Sequence, residues 1–292
     1  FRNISELEIE PDKRVNIIFG ENAQGKTNLI EALWLFTGCK SFRTNRDSDL
    51  VSFENTFAKA ELDFTAFGRT QNAKIFIDEK RKAQLNGVSL PSPSRLIGEF
   101  TAVVFSPAHL ALVKDGPAAR RKFIDTALCQ LKPKYASLLQ RYNRSVQQRN
   151  ALLKDIQFHP SLLETLDVWD EKICSLAELI IKERIDYINK LSPSATEIYR
   201  GLSGGKEALT IEYCGQNGVY GEEGESILET LKRCFKDNRR DDILQKSTSA
   251  GPHRDDLDIK IDGRSARIFG SQGQQRSSAI ALKLGEADIV SS

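Results

Sequence analysis

Gly20-Glu21-Asn22-Ala23-Gln24-Gly25-Lys26-Thr27 is a complete G-x-x-x-x-G-K-[ST] loop, and its flanks supply the context that such a loop needs. Before it, Val15-Asn16-Ile17-Ile18-Phe19 is a short apolar run rich in β-branched residues, which predicts a buried strand. After it, Leu29, Ile30, Leu33, Trp34 and Phe36 recur at helical spacing. Strand, glycine loop and helix curl backbone N–H groups around α- and β-phosphates, and the helix start adds its positive end. The sequence therefore predicts a nucleoside triphosphate site built from Gly20, Glu21, Asn22, Ala23, Gln24, Gly25, Lys26, Thr27 and Asn28. Lys26 is expected to reach the β- and γ-phosphates, and the Thr27 hydroxyl to hold Mg²⁺.

Working outward, 292 residues with 40 % hydrophobic and 28 % charged content fit a soluble globular protein of two domains, or one large α/β domain with an insertion. No run approaches a membrane span and no secretory leader is visible, so a cytoplasmic protein with no membrane partner is expected. Cys39, Cys129, Cys174, Cys214 and Cys234 are scattered without a C-x-x-C pair, and His109, His159 and His253 are equally isolated. Reduced thiols and no bound transition metal follow. The net charge of +2 hides a concentration. Between Ala111 and Asn150, Lys114, Arg120, Arg121, Lys122, Lys132, Lys134, Arg141, Arg144 and Arg149 are opposed only by Asp115 and Asp125. Such a segment is the footprint expected for a phosphate backbone, with Arg120, Arg121 and Lys122 as candidate DNA contacts; a solvated helix face is the competing reading.

Elsewhere, Ile4, Leu7 and Ile9 suggest a first strand, and residues 57–67 and 73–85 alternate as hairpin strands leading to Asn86-Gly87. Phe100-Thr101-Ala102-Val103-Val104-Phe105 predicts another buried strand, halted at Ser106-Pro107. Pro117 and Pro133 open two helices, Pro160 ends the second, and a longer helix carries Leu166, Ile173, Ile180, Tyr187 and Leu191 on one stripe. The helices suit either an antiparallel projecting arm or an ordinary helical core. Glu207 to Tyr213 predicts a strand, a charged helix follows near 225–237, and Leu257–Ile261, Asp262-Gly263 and Ala266–Phe269 predict a hairpin. The expected organisation is a mixed α/β lobe over residues 1–113, a mainly helical insertion over 114–248, and a closing segment over 249–292; the resemblance given below makes the first and last the two parts of one ATPase head.

A phosphate loop leaves one side of the γ-phosphate open. Ser271-Gln272-Gly273-Gln274-Gln275, a hydroxyl residue and a bare glycine at a helix start, could close that side. It is similar to the signature motif of ABC-type ATPases, in which one protomer's motif caps the nucleotide of the other. Leu202-Ser203-Gly204-Gly205-Lys206 looks closer by its letters, but a strand follows it, so a helix C-cap and turn is the expected role. ABC-type ATPases carry an acidic strand after the signature helix. None follows here, so the catalytic residue is not identified, and the natural chain is expected to continue. Asp255-Asp256, preceded by Gly251-Pro252-His253-Arg254, is no substitute.

Taken in order, the stretches resemble the RecF family of recombination-mediator ATPases, of the ABC/SMC type. They are Phe1-Arg2-Asn3, the loop and its preceding run, Lys40-Ser41-Phe42-Arg43, Phe105-Ser106-Pro107, Arg120-Arg121 with Phe123-Ile124-Asp125, Gln148 to Lys154, Gly251 to Leu257, and Ser271 to Arg276. The family pattern departs at Ala108-His109, where acidic residues are expected. The resemblance implies an α/β P-loop head with an inserted helical arm, ATP and Mg²⁺ as cofactors, and slow, DNA-stimulated hydrolysis. It implies an ATP-dependent homodimer acting on single-stranded DNA and its junctions with duplex, in repair and replication restart, with RecR and RecO as partners. Ser271, Gly273 and Gln274 then take the γ-phosphate role in trans, and Arg43 and Arg254 are candidate sensing residues. A non-hydrolysing scaffold or another SMC-like ATPase is the alternative; a GTPase is disfavoured because no N-K-x-D motif is present.

Overall fold

The computed structural model describes residues 1–215, 218, 220 and 224–291, and it divides into two compact units, Phe1–Val104 and Phe105–Ser292. In the first, helix α1 (Lys26–Leu35) accompanies an antiparallel meander of β1 (Ala58–Ala66), β2 (Arg69–Ile77), β3 (Arg81–Leu85) and β4 (Val88–Ser89), in that spatial order. Alternation does what period-2 patterning dictates. Ala73, Ile75 and Ile77 of β2 turn inward with Ala58 and Ala83, and pack with Leu35, Phe36, Leu50 and Leu96. Both hairpin turns, Phe67-Gly68 and Asn86-Gly87, carry two positive φ angles (53° and 71°, 49° and 80°), as a type I′ turn requires. The second is the expected Asn-Gly pair. In the first, an aromatic residue takes the left-handed conformation.

Three expected strands are corrected. Val15–Phe19 joins no ladder among the described residues, and Val15, Ile17 and Phe19 are 73 %, 81 % and 89 % exposed rather than buried. Phe100–Phe105 forms no strand either, with only Val104 buried, and Ile4, Leu7 and Ile9 lie in irregular chain. Apolar, β-branched composition prescribes a surface to cover, but a strand also needs a neighbour for its N–H and C=O groups. The meander pairs only with itself.

The second unit contains α2 (Pro117–Leu131), α3 (Pro133–Asp155), α4 (Leu166–Leu202), β5 (Leu209–Cys214), α5 (Ile227–Asp237) and α6 (Arg239–Gln245). Then come β6 (Asp256–Ile261), β7 (Arg264–Ser265), α7 (Ala266–Phe269) and α8 (Gln272–Ser291). Pro117 and Pro133 sit at the first helical positions, where a missing N–H costs nothing. The 37 residues of α4 make a rod of about 55 Å. Its buried face (Ile173, Ile180, Leu191) shares one core with Leu209 and Ile211 of β5, Phe235 of α5, Ile259 of β6 and Leu282 of α8. The expected boundary at residue 249 thus falls inside a single core.

Beyond the β6–β7 turn, Ala266–Phe269 is a helical turn closed by Gly270 N–H to the Ala266 carbonyl (3.1 Å), not the expected strand. Gly204 and Gly205 have φ of 65° and 74°, and Gly205 N–H bonds the Arg200 carbonyl at 2.8 Å, so Leu202–Lys206 is the expected helix cap and turn.

Two buried arginines, Arg149 of the basic segment and Arg184 of α4, hold this unit from within. Arg149, fully buried, donates to Asp170 (2.6 Å), Asp242 (2.7 Å) and Thr248 (3.0 Å). Arg184 donates to Asp125 (3.0 Å), the Tyr213 hydroxyl (3.1 Å) and the Pro252 carbonyl (2.6 Å). Each guanidinium ties segments that are distant in sequence, and deleting one partner would strand a buried charge.

Candidate functional site

The loop Gly20–Thr27 runs directly into α1, with Gly25 at the N-cap, φ 94°, and no side chain capping it. A Cβ on Gly25 would come within 2.9 Å of Asn3 Oδ1 and 3.1 Å of Ile4 Cγ1, so conformation and crowding both demand glycine. The first backbone bond runs from Leu29 N–H to the Gly25 carbonyl, 3.0 Å. The N–H groups of Lys26, Thr27 and Asn28 are therefore first-turn donors without an intrahelical partner. Lys26 Nζ donates to the carbonyls of Gly20 (2.7 Å) and Glu21, spanning the loop. Gly20, Glu21, Asn22, Ala23, Gln24 and Thr27 are exposed. Unpaired first-turn N–H groups, an ammonium and an exposed hydroxyl are a donor set that fits a triphosphate with a divalent cation.

Polar contacts from three segments hold this cradle. Asn3 Nδ2 donates to the Ala23 carbonyl (2.7 Å), and Asn28 Nδ2 donates to Asn3 Oδ1 (2.6 Å). Arg43 donates to Asn28 Oδ1 (2.6 Å) and to Glu31 (3.1 Å). Beneath them Glu31, buried on α1, also accepts from Arg2 (2.6 and 2.9 Å) and from the Ser41 hydroxyl. Burial pushes the Glu31 carboxyl up, but its bonds to Arg2 and Ser41 and the Arg43 charge outweigh that and hold it below the usual carboxylate range. Sequence reading passed over Glu31. The available signal was an acidic residue amid the apolar positions of α1.

At the start of α8, Ser271 and Gln274 form a reciprocal cap. Gln274 N–H donates to Ser271 Oγ (3.2 Å), and Ser271 N–H donates to Gln274 Oε1 (2.7 Å). Gln275 Nε2 ties down the preceding loop through the carbonyls of Ala266, Arg267 and Gly270 (3.1–3.2 Å). Gln272 and Gly273 are exposed, and their N–H groups remain as the free donors of the first turn. The other end of Gln274 donates to Glu207 (2.8 Å), a residue that sequence reading did not single out. The cradle residues lie together in the first unit and Ser271, Gly273 and Gln274 together in the second.

The basic trio separates. Arg120 is only 3 % exposed, held by Asp256 (2.6 and 2.8 Å) and the carbonyls of Leu112, Val113 and Asp115. It is a structural cation, which corrects its expected role as a DNA contact. Arg121 is half-buried and donates to the Asp255 carbonyl (2.7 Å), whereas Lys122 is exposed. On α3, Lys134, Arg141 and Arg144 are exposed at spacings that place them on one side of the helix. Arg254 donates to Ser247 Oγ (3.1 Å) and the Thr248 carbonyl. His109, in the departure from the family pattern, accepts from Ser106 N–H (3.0 Å) at the helical turn that follows Ser106.

The family model described as an AAA domain matches residues 1–246. The DNA replication and repair protein RecF of Acetivibrio thermocellus is 40 % identical over 298 residues, covering 100 % of this chain and 80 % of that one. RecF of Clostridium acetobutylicum is 38 % identical over 292 residues, covering 99 % and 79 %. The solved structure of the recombination mediator protein RecF with ATP superposes with a TM-score of 0.92 at 34 % identity, over 99 % of this chain and 78 % of that one. A second RecF structure, with ATPrS, gives 0.91 at the same identity. Identity at this level runs across nearly the whole chain, and the chain belongs to the RecF family of DNA replication and repair proteins.

Proposed function

We propose that this chain is an ATP-driven DNA-binding protein of recombinational repair, dimeric only when its nucleotide is gripped from two sides. The observation that carries the reading is the pair of outward-facing helix starts. One is a glycine cradle with Lys26 and Thr27, the other a bare tip with free N–H groups at Gln272 and Gly273. Lys26 and the loop N–H groups hold the phosphates, and Thr27 holds Mg²⁺, which neutralises phosphate charge when bound. The tip of a second copy, Ser271 to Gln274, faces the γ-phosphate. A nucleotide that meets both surfaces only in the dimer favours the dimer by its differential affinity.

DNA phosphates are met by Lys122 of α2 with Lys134, Arg141 and Arg144 of α3, exposed cations of the basic segment. Gaps and junctions of single-stranded with duplex DNA are the proposed targets, RecR and RecO the partners, and the cytoplasm the setting. The pathway named for the solved relatives supports the partners. No helix among the described residues is long and apolar enough to cross a membrane.

Light scattering with and without ATP tests the dimer: Ser271→Arg is expected to keep nucleotide binding and lose ATP-induced association. A Ser271→Arg protein that still associates refutes the two-sided grip. Phosphate release with and without DNA separates slow hydrolysis from a structural nucleotide. DNA affinity should fall with salt, less steeply once Lys134, Arg141 and Arg144 are neutralised.

A further inference from the structure

We propose that Glu207 is a positioning residue for the helix tip: it fixes Gln274, and so the first turn of α8, to Tyr199 of the long helix α4. This rests on the role given above to the tip. Both carboxylate oxygens are engaged, Oε1 accepting from Gln274 Nε2 (2.8 Å) and Oε2 from the Tyr199 hydroxyl (2.6 Å). Tyr199 is buried, and burial together with its bond to Glu207 pushes the phenol above its ordinary range, so it stays a donor. Gln274 passes the constraint on, since its Oε1 accepts from Ser271 N–H at 2.7 Å. Tyr199, Glu207, Gln274 and Ser271 thus form one continuous chain of hydrogen bonds.

The carboxylate does not hang from a loose loop. Its neighbour Ala208 exchanges bonds with Asp262, N–H to Oδ1 and carbonyl to N–H, both 2.9 Å. The two helices also meet farther along. A Cβ on Gly285 of α8 would lie 3.0 Å from Leu191 Cδ1 and 3.3 Å from the backbone nitrogen of Ala195, and Ser194 donates to Asp288 at 2.6 Å. Glu207 therefore adds a polar attachment near the start of α8 to the packing of α8 against α4. A negative charge beside a helix start competes with an incoming phosphate for the same dipole. The contribution of Glu207 to anion capture is accordingly orientation, not attraction. It holds the Gln274 amide aside so that the N–H groups of Gln272 and Gly273 face outward. In this arrangement Gln274 positions the tip, and its side chain is not itself a phosphate ligand.

The test uses the full chain with ATP and Mg²⁺, reading self-association by sedimentation and, at dilute protein, affinity for a fluorescent ATP analogue. Glu207→Ala is expected to move the association midpoint to about tenfold higher protein concentration, with analogue affinity unchanged. Gln274→Glu, which sets two carboxylates against each other, should do the same. The Gln274→Glu/Glu207→Gln double variant exchanges donor and acceptor while keeping net charge, and should associate at least about threefold more readily than the Gln274→Glu single variant, which carries the same charge at the tip. A purely structural role would lower thermal stability without that rescue.

Single variants that associate at the parent midpoint, or a double variant no better than the worse single, overturn the proposal. Ser271→Arg runs alongside. If it too associates normally, the tip reading has failed; if it alone is blocked, only the role of Glu207 has failed. Should Glu207→Ala not fold, Tyr199→Phe keeps the ring and should still shift the midpoint about threefold.

Discussion

The cradle at Gly20–Thr27 and the tip at Ser271–Gln274 are both glycine-bearing helix starts, yet they are held in opposite ways. The cradle has no side-chain cap of its own and is braced from outside, by Asn3, Arg43 and the Glu31 cluster. The tip caps itself, is tied by Gln275 to the loop just before it, and borrows Glu207 from farther away. A helix start whose donors must all face a ligand cannot spend them on its own cap, so support comes from distant residues. One that offers two donors can be stabilised locally. The cradle should therefore be the more sensitive of the two to remote substitutions.

That difference can be broken at its strongest point. Glu31→Ala leaves Arg2 and Ser41 without this acceptor and Arg43 with Asn28 alone, and should cost the first unit about 3 kcal/mol. Each unit carries one tryptophan, Trp34 and Trp169, so urea unfolding of single-tryptophan variants separates the two. The Trp34 signal should shift and the Trp169 signal should not. Lys26→Ala follows, expected to weaken ATP binding at least about a hundredfold in calorimetry, while leaving the Trp169 transition in place.

Acid should act the other way round, on the unit that bears the tip. His253 is pushed down to about 4, by burial first and then by the charges of Arg254 and Arg121. The folded imidazole takes its proton only near that pH, whereas the unfolded one takes it near 6.5. Unfolding is coupled to proton uptake between those values, so this contribution is whole above pH 6.5 and drains as pH falls toward 4. Between pH 7 and pH 5 His253 should cost the Trp169 transition about 2 kcal/mol, and His253→Gln should remove that part of the dependence, leaving the part owed to His109, which burial likewise pushes down to about 4. Glu31, held below the usual carboxylate range, keeps its contribution until pH falls further, so the Trp34 transition should outlast the other. The smallest effect is local: Ser271→Ala should remove about 1 kcal/mol from α8, read by hydrogen exchange in its first turns.

Sequence patterning made the loop, the proline helix starts, the Asn86-Gly87 turn and the capped start of α8 legible, because each is a local rule over a few residues. What it missed depends on partners far away. Arg120 and Lys122 look alike in a charge count; only Asp256, 136 positions on, decides that Arg120 turns inward. Val15–Phe19 has the composition of a strand, and composition is silent on whether a neighbour pairs with it. Glu207 directly follows the segment dismissed as a false signature and reads only as the start of a strand; its value comes from a contact with Gln274 across 67 residues.

The uncovered run at Val15, Ile17 and Phe19 also bears on how the polypeptide behaves in the tube. Bare apolar side chains in a stretch that joins no ladder among the described residues make a template to which another molecule can add edge to edge. Preparations should therefore scatter light increasingly as they are concentrated, whatever nucleotide is present. Because hydrophobic attraction weakens on cooling, that background should shrink in the cold. An Ile17→Lys substitution would blunt it by putting charge where stickiness now resides.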